Sequence, residues 1–298
     1  MVRMKQKQIR IQTSVSEKIA QALIVTFMLL FCACVIVPFL NILAVSLSGK
    51  QEVMSGRVTF YPRALTTEAY SKVISDDYFF NSYRNTVFVV VLSVISAIVC
   101  TTMTAYIMSR RDLPGKKFIT VMITIPMWFN GGLIPGFLLI RKLGLYDSLW
   151  SLIVPGLISV YNAIVIRNFF QGLPTALEES AMIDGANDFT ILFKIYIPLS
   201  IPCIATVALW IIVGRWNEYT AALLYLSSRS KYTLQLLLRE IVFSNALSAD
   251  MAISDTMEII SESIKYANII LTILPILCVY PFLQKYFVKG VTVGAVKG

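Results

Sequence analysis

The chain has 298 residues, of which 57% are apolar and only 14% charged; its formal net charge is +9 and it contains no histidine. Its mean hydropathy is +0.72, whereas a soluble chain carries about 25% charged residues and cannot hide so large an apolar excess in one core. These figures exclude an ordinary soluble enzyme and a disordered chain. The missing histidine also removes His-based general base catalysis, Ser-His triads and His-ligated metal sites.

In chain order, residues 1–18 form a basic N-terminus with Arg3, Lys5, Lys7, Arg10 and Lys18. A bilayer core of roughly 30 Å needs about 20 apolar residues in a helix. Six segments meet that need: 19–47, 86–108, 118–140, 149–166, 203–226 and 266–287. Together they make an all-α membrane domain over 19–287, because continuous apolar runs do not suit the alternation of a barrel strand. The first run is far longer than the apolar core of a leader peptide, so it reads as an anchor.

Arg110, Arg111, Lys116 and Lys117 crowd the short link between the second and third spans. With the basic N-terminus, they set that side in the cytoplasm. Six crossings then return the tail 288–298, with Lys289 and Lys297, to the same side. The net positive charge is therefore a membrane-edge charge, and no basic-aromatic stripe suggests nucleic acid. Cys32, Cys34, Cys100, Cys203 and Cys278 lie in or beside apolar runs without a C-x-x-C spacing, and read as buried free thiols. Segments 48–85 and 227–265 fall outside, and each is expected to hold a short helix.

The longest inner loop, 167–201, carries helix signals of its own. Thr175 and Glu178 have the spacing of a capping box, and Glu178 and Glu179 suit the positive end of a helix dipole. Gly185 after Asp184 is a left-handed terminator. A second short helix is expected from Asn187 or Asp188 to Ile197, ended by Pro198. Its Phe189, Leu192, Phe193 and Tyr196 share one face. Such a hairpin either packs on its own bundle or offers a helix to a partner groove.

Within this loop, Glu179-Ser180-Ala181-Met182-Ile183-Asp184-Gly185, nine further residues and Ile195-Tyr196-Ile197-Pro198 resemble the EAA motif of bacterial ABC importer permeases. Ser180 replaces the middle alanine of that pattern and Ile197 replaces its leucine. Asn130–Pro135, Asp147–Trp150, Arg167–Phe170 and the tail from Lys285 are similar to the carbohydrate-uptake, MalG-like permeases, and within them to the LplC/YtcP-like branch. The resemblance implies a six-helix type I (MetI-like) fold with a cytoplasmic coupling-helix loop. It also implies a cell-membrane location, a second permease, two ATP-binding subunits, an extracytoplasmic sugar-binding protein and a carbohydrate substrate. ATP and Mg would belong to the partner ATPases and no cofactor to this chain, which has no G-x-x-x-x-G-K-[ST] loop. The coupling residues so implied are Glu178, Glu179, Ala181, Asp184, Gly185, Ile195 and Pro198. Glu179 would be the charged contact, Ala181 would permit close approach and Gly185 would supply the turn.

An ionisable side chain inside a span is a functional candidate. Arg215 and Glu218 lie in the fifth span, where an i, i+3 ion pair is one reading. Trp216, Asn217 and Glu218 offer the aromatic face, amide and carboxylate that hold a sugar, and Trp128, Asn130, Tyr161 and Asn162 are further path candidates. An ion-coupled secondary transporter is the alternative, but it would want internal repeats and a relay of ionisable groups. A membrane-embedded enzyme would need a convergent catalytic set, which the sequence lacks.

Overall fold

A computed structural model describes residues 14–110, 112–129, 131–250 and 262–295. The basic residues before 14, Arg111, Asn130, segment 251–261 and the last three residues, Lys297 among them, lie outside the described residues. Among the described residues fifteen α-helices follow one another: α1 (Val15–Ser46), α2 (Lys50–Met54), α3 (Glu68–Ile74), α4 (Asp77–Ser109), α5 (Lys116–Trp128), α6 (Leu133–Lys142), α7 (Trp150–Ile153), α8 (Val160–Gln171), α9 (Thr175–Ile183), α10 (Asp188–Ile191), α11 (Ile197–Leu199), α12 (Ile201–Trp216), α13 (Thr220–Tyr225), α14 (Leu234–Asp250) and α15 (Glu262–Ala295). Short 3-10 turns at Val154–Gly156 and Arg229–Lys231 and a π-helical turn at Leu192–Tyr196 join them. Among the described residues there is no strand.

The chain divides into two compact units. The first comprises residues up to Ala69 with Ser261–Ala267. In it, Ala44, Val45 and Val58 are buried together with Val53 and Tyr266 against them. Ser48 ties the end of α1 to the following loop: its hydroxyl donates to Ala44 O at 2.7 Å and accepts from Arg63 N–H at 3.0 Å. The apolar side chains earlier in α1, such as Leu23, Phe27 and Phe31, are exposed, which suits a lipid-facing helix.

The second unit, Tyr70–Ile260 with Asn268 onward, is built on α4. Asp76 caps that helix by accepting from Tyr78 N–H at 2.9 Å. Ser93, Ala97, Thr101 and Ala105 recur every fourth residue and are all buried. Small residues so spaced let helices approach closely, as membrane bundles require. Against this face lie α8 and α12, with Ala163 and Val207 wholly buried.

Among the described residues three helices, α1, α4 and Glu262–Val279 of α15, are long and apolar enough to cross a membrane, and three bent pairs raise the number to as many as six. The expected spans are thus less regular than the hydropathy suggested. The third bends by 111° between α5 and α6, where Gly132 has φ +89°. The fourth bends by 43° between Gly156 and Val160. The fifth does not run unbroken to 226: α12 stops at Trp216, and Glu218 accepts from Ala221 N–H at 3.0 Å to cap α13. Its companion is instead the stretch Asp188–Leu199, which meets α12 at 82°. The last helix extends through Pro275 and Pro281 to Ala295, into the stretch expected to be a separate tail. The segment after 226 holds α14, which is far longer than the short helix anticipated there.

One anchor was invisible in the sequence. Asp147, between α6 and α7, adopts φ +53°. Its carboxylate accepts from the amides of Ser227 and Ser228 at 3.0 and 2.9 Å, from the Ser228 hydroxyl at 2.6 Å and from Lys231 Nζ at 2.8 Å. Nearby, Asn85 donates to the carbonyls of Ser230 and Tyr232, and Thr86 accepts from Leu234 N–H. Burial opposes ionisation of Asp147, but the Lys231 ammonium and these donors together hold its carboxyl well below the usual carboxylate range. Its contribution is therefore present at neutral pH and is lost as the pH falls below the unfolded carboxylate value of about 3.9. Asp147→Ala is expected to cost about 3 kcal/mol, from charge-assisted hydrogen bonds and a left-handed backbone that alanine resists. Asp147→Asn should cost less. Thermal unfolding of the detergent-solubilised protein checks this, and an unchanged Tm for the alanine variant contradicts it.

Candidate functional site

The α8–α12 loop is the best-defined candidate. Pro174 occupies the N-cap of α9 and provides no side-chain cap. The expected capping box does not form, because Thr175 is already the first helical residue and Glu178 lies one position too far along to reach back. Glu178 turns the other way. Its Oε1 accepts from Arg110 Nη1 at 2.5 Å and its Oε2 from the Tyr196 hydroxyl at 2.6 Å. The expected glycine terminator does form: Gly185 has φ +80°, its N–H donates to Met182 O and that of Ala186 to Ala181 O, at 3.0 and 2.9 Å. This pair of bonds is a Schellman motif.

The second helix begins as expected, with Asn187 accepting from Thr190 N–H at 2.8 Å. It does not stop before Pro198. The backbone widens into a π turn in which Ile197 N–H reaches Leu192 O, and helix continues through Pro198 to Leu199. Proline lacks the amide and crowds the carbonyl four residues back, and a wider turn relieves both problems.

Arg110, the residue that caps α4, gathers the loop. Its Nη1 faces Glu178, Asp188 Oδ1 at 3.0 Å and the Tyr106 hydroxyl at 3.2 Å. Its Nε and Nη2 grip both oxygens of Asp112 at 3.0 and 2.8 Å. Tyr106 also donates to Asp188 Oδ1 at 3.1 Å. Lys116 Nζ donates to the Arg110 carbonyl. The Arg110 guanidinium holds the Asp112 carboxyl below its ordinary range. Beneath these charges Tyr106, Ile166, Phe170, Ile191, Leu192 and Tyr196 form an apolar cluster, with the Tyr196 ring edge-on to Tyr106 and Phe170 at 5.3 and 5.1 Å. Cavities of about 290 and 320 Å³ flank Arg110 on its two sides.

The other loop candidates divide by exposure. Ala181 and Ile195 pack on the cluster. Glu179, Asp184, Gly185 and Pro198 face outward, beside exposed Leu177, Met182 and Ile183. The loop thus offers an outer face of mixed apolar and acidic character and holds an inner face by directed bonds. Sequence reasoning took Arg110 for a membrane-edge charge and gave Tyr106 no role. Their partners lie 68 and 82 positions away, and no local pattern records such a distance.

The path candidates turn to different neighbours. Trp216 is buried, donates from Nε1 to Thr272 O at 3.1 Å and meets Tyr83 edge-on. Asn217 donates to Val213 O. Tyr161 packs beside Trp210 at 5.8 Å, Asn162 is buried and Trp128 is exposed. The Arg215–Glu218 ion pair is not formed among the described residues: Glu218 caps α13, and Arg215 lies over Gly156, where an added Cβ would fall 1.4 Å from Nη2. The break in the helix between Trp216 and Thr220 lets Glu218 serve the next helix instead of the previous one. Among the described residues no cluster of three His, Cys, Asp or Glu suits a metal.

A family model described as "Binding-protein-dependent transport system inner membrane component" matches residues 12–293. The chain is 41% identical over 278 residues to the polygalacturonan/rhamnogalacturonan transport system permease protein YtcP of Bacillus subtilis, covering 93% of this chain and 97% of that one. It is 40% identical to protein LplC of the same organism, covering 89% and 90%. Among solved structures, a bacterial ABC transporter involved in the import of the acidic polysaccharide alginate superposes with a TM-score of 0.84 at 33% identity, covering 92% of this chain and 99% of the matched chain. The architecture is therefore the MetI-like permease fold of ABC importers. This chain belongs to the binding-protein-dependent transport system inner membrane component family.

Proposed function

We propose that this chain is one of two different permease subunits of an ATP-driven, binding-protein-dependent importer of carbohydrate. It lines half of the translocation path in the bacterial cytoplasmic membrane, with both termini in the cytoplasm. The observation that carries this reading is α9 itself: a Schellman-capped helix whose Glu179, Met182 and Ile183 face outward while Glu178 and Ala181 hold it to the bundle. That division suits docking in a cleft of a partner ATPase, which would hold ATP and Mg. This chain does no covalent chemistry and takes its energy from that partner.

The names of two relatives support a narrower substrate class. One is named for polygalacturonan and rhamnogalacturonan transport and another for alginate import, so the cargo is an oligosaccharide rich in uronate. Trp216, Asn217 and Glu218, with Trp128, Asn130, Tyr161 and Asn162, remain the path candidates. An ion-coupled mechanism lacks support here, since Arg215 of α12 and Glu218 beyond its end form no ion pair among the described residues.

The test is uptake of galacturonate oligosaccharides, against neutral glucose oligomers, into proteoliposomes holding both permeases, the ATPases and the binding protein. Uptake should require hydrolysis and favour the acidic sugar; uptake that persists with a hydrolysis-dead ATPase overturns the reading. Glu179→Lys reverses the charge of the outward face and is expected to lower uptake about tenfold, in the range of one lost charged contact. Wild-type uptake by that variant would remove Glu179 from the docking face.

A further inference from the structure

Both ends of α9 are joined to the bundle by non-helical backbone: Gly172-Leu173-Pro174 before it and Gly185-Ala186-Asn187 after it. Neither joint is a rigid helical extension, so the main chain alone carries a displacement of α9 less directly than a continuous helix would. Two kinds of non-covalent contact remain. Ala181 and Ala186 rest on the apolar cluster, a contact that lets the helix slide because it has no preferred direction. The other contact is Glu178, which is directional and charge-assisted.

Arg110 is placed to receive that contact. It sits at the end of α4, the helix against which α8 and α12 both pack. Its guanidinium plane is fixed by the two-pronged grip of Asp112, leaving Nη1 aimed at Glu178 of α9 and Asp188 of α10. Arg110 and Glu178 side chains are only 14% and 19% exposed, so water screens the pair far less than a surface ion pair. Three carboxylates converge on this single cation, and without it they would repel one another. Arg110 lies outside the motif at 179–198.

We propose that Arg110 is a positioning residue that couples α9 to α4: movement of α9 reaches the membrane bundle through the Glu178–Arg110 bond, and Asp188 keeps α10 in step. The assignment rests on α9 being the ATPase-facing helix. Arginine is required because a lysine, a point charge on a flexible stem, cannot serve Asp112, Glu178 and Asp188 at fixed angles. Tyr196 supports Glu178 from the second helix of the hairpin, so the carboxylate has one place to go.

The test uses the complete transporter in proteoliposomes and reads sugar imported per ATP hydrolysed, normalised to assembled complex. A lesion that only lowers folding yield reduces the number of complexes and leaves this ratio intact. Arg110→Gln should lower the ratio about tenfold, within the range of site-to-site coupling free energies. Arg110→Lys should fail to restore it. Glu178→Gln should have the smaller effect, because Arg110 then keeps Asp112 and Asp188, whereas Arg110→Gln leaves Glu178 half-buried without a cation. Adding Glu178→Gln to Arg110→Gln should lower the ratio no further, since residues in one network do not act independently. A wild-type ratio for Arg110→Gln, restoration by lysine, or a double variant whose loss is the product of the singles would overturn the proposal. Failure of the underlying reading looks different: Glu179→Lys and Gly185→Pro would then both import sugar normally whatever Arg110 variants do.

Discussion

Gly185→Pro is expected to leave the protein in the membrane and to reduce uptake by about a hundredfold or more. Gly185 has φ +80°, which the proline ring forbids, and its amide donates to Met182 O, a bond proline cannot make. Forcing proline into such a position costs about 3 kcal/mol or more, and 1.4 kcal/mol corresponds to a factor of about ten. The strain falls on the turn that aims α9 relative to α10, and the membrane helices are not touched. Gly185→Ala should be milder, because alanine enters the left-handed region at about 1–2 kcal/mol and meets nothing within 4 Å. Uptake per complex in the two variants and in wild type checks the order. Equal transport in all three would show that the turn does not aim α9.

Ala105→Leu should be strongly destabilising. Ala105 is wholly buried in α4, in the cluster with Ile166, Phe170, Tyr196 and Val207. Helices in lipid associate through close packing, with little hydrophobic drive between them, so a bulky side chain at the contact pushes them apart. Overpacking of this kind costs about 1–3 kcal/mol, and three tightly apposed helices argue for the upper part of that range. Val99→Leu, on the exposed side of the same helix, is the control and should change stability by less than about 0.5 kcal/mol. Thermal unfolding in detergent compares them; equal melting of the two variants would falsify the account of α4 packing.

Several failures of sequence reasoning share one cause. The box drawn from Thr175 and Glu178 rested on local spacing, but an arginine far along the chain offered Glu178 a stronger partner than a backbone amide. The same holds for Glu218, which left Arg215 for the free amides of α13. Pro198 reads locally as a helix stop, yet packing of Leu192 and Tyr196 into the cluster keeps the helix going and lets a π turn absorb the proline. The smoothness of the third, fourth and fifth spans was likewise an artefact of apolarity. A hydropathy window records how greasy a segment is and not whether its backbone bends.

Composition and periodicity alone determined that this is a helical membrane protein, where its apolar stretches lie and that residues 167–201 hold two short helices about a glycine. These properties depend on side-chain polarity and on φ preferences within a few residues, which one sequence contains in full. Only the tertiary structure decided that Arg110 gathers α9 and α10, that Asp147 ties the loop before α7 to the segment after α13, and that Trp216 is buried with its Nε1 on Thr272 O. Those depend on which distant polar groups meet where water is excluded, where each charge takes the partner that best repays its desolvation.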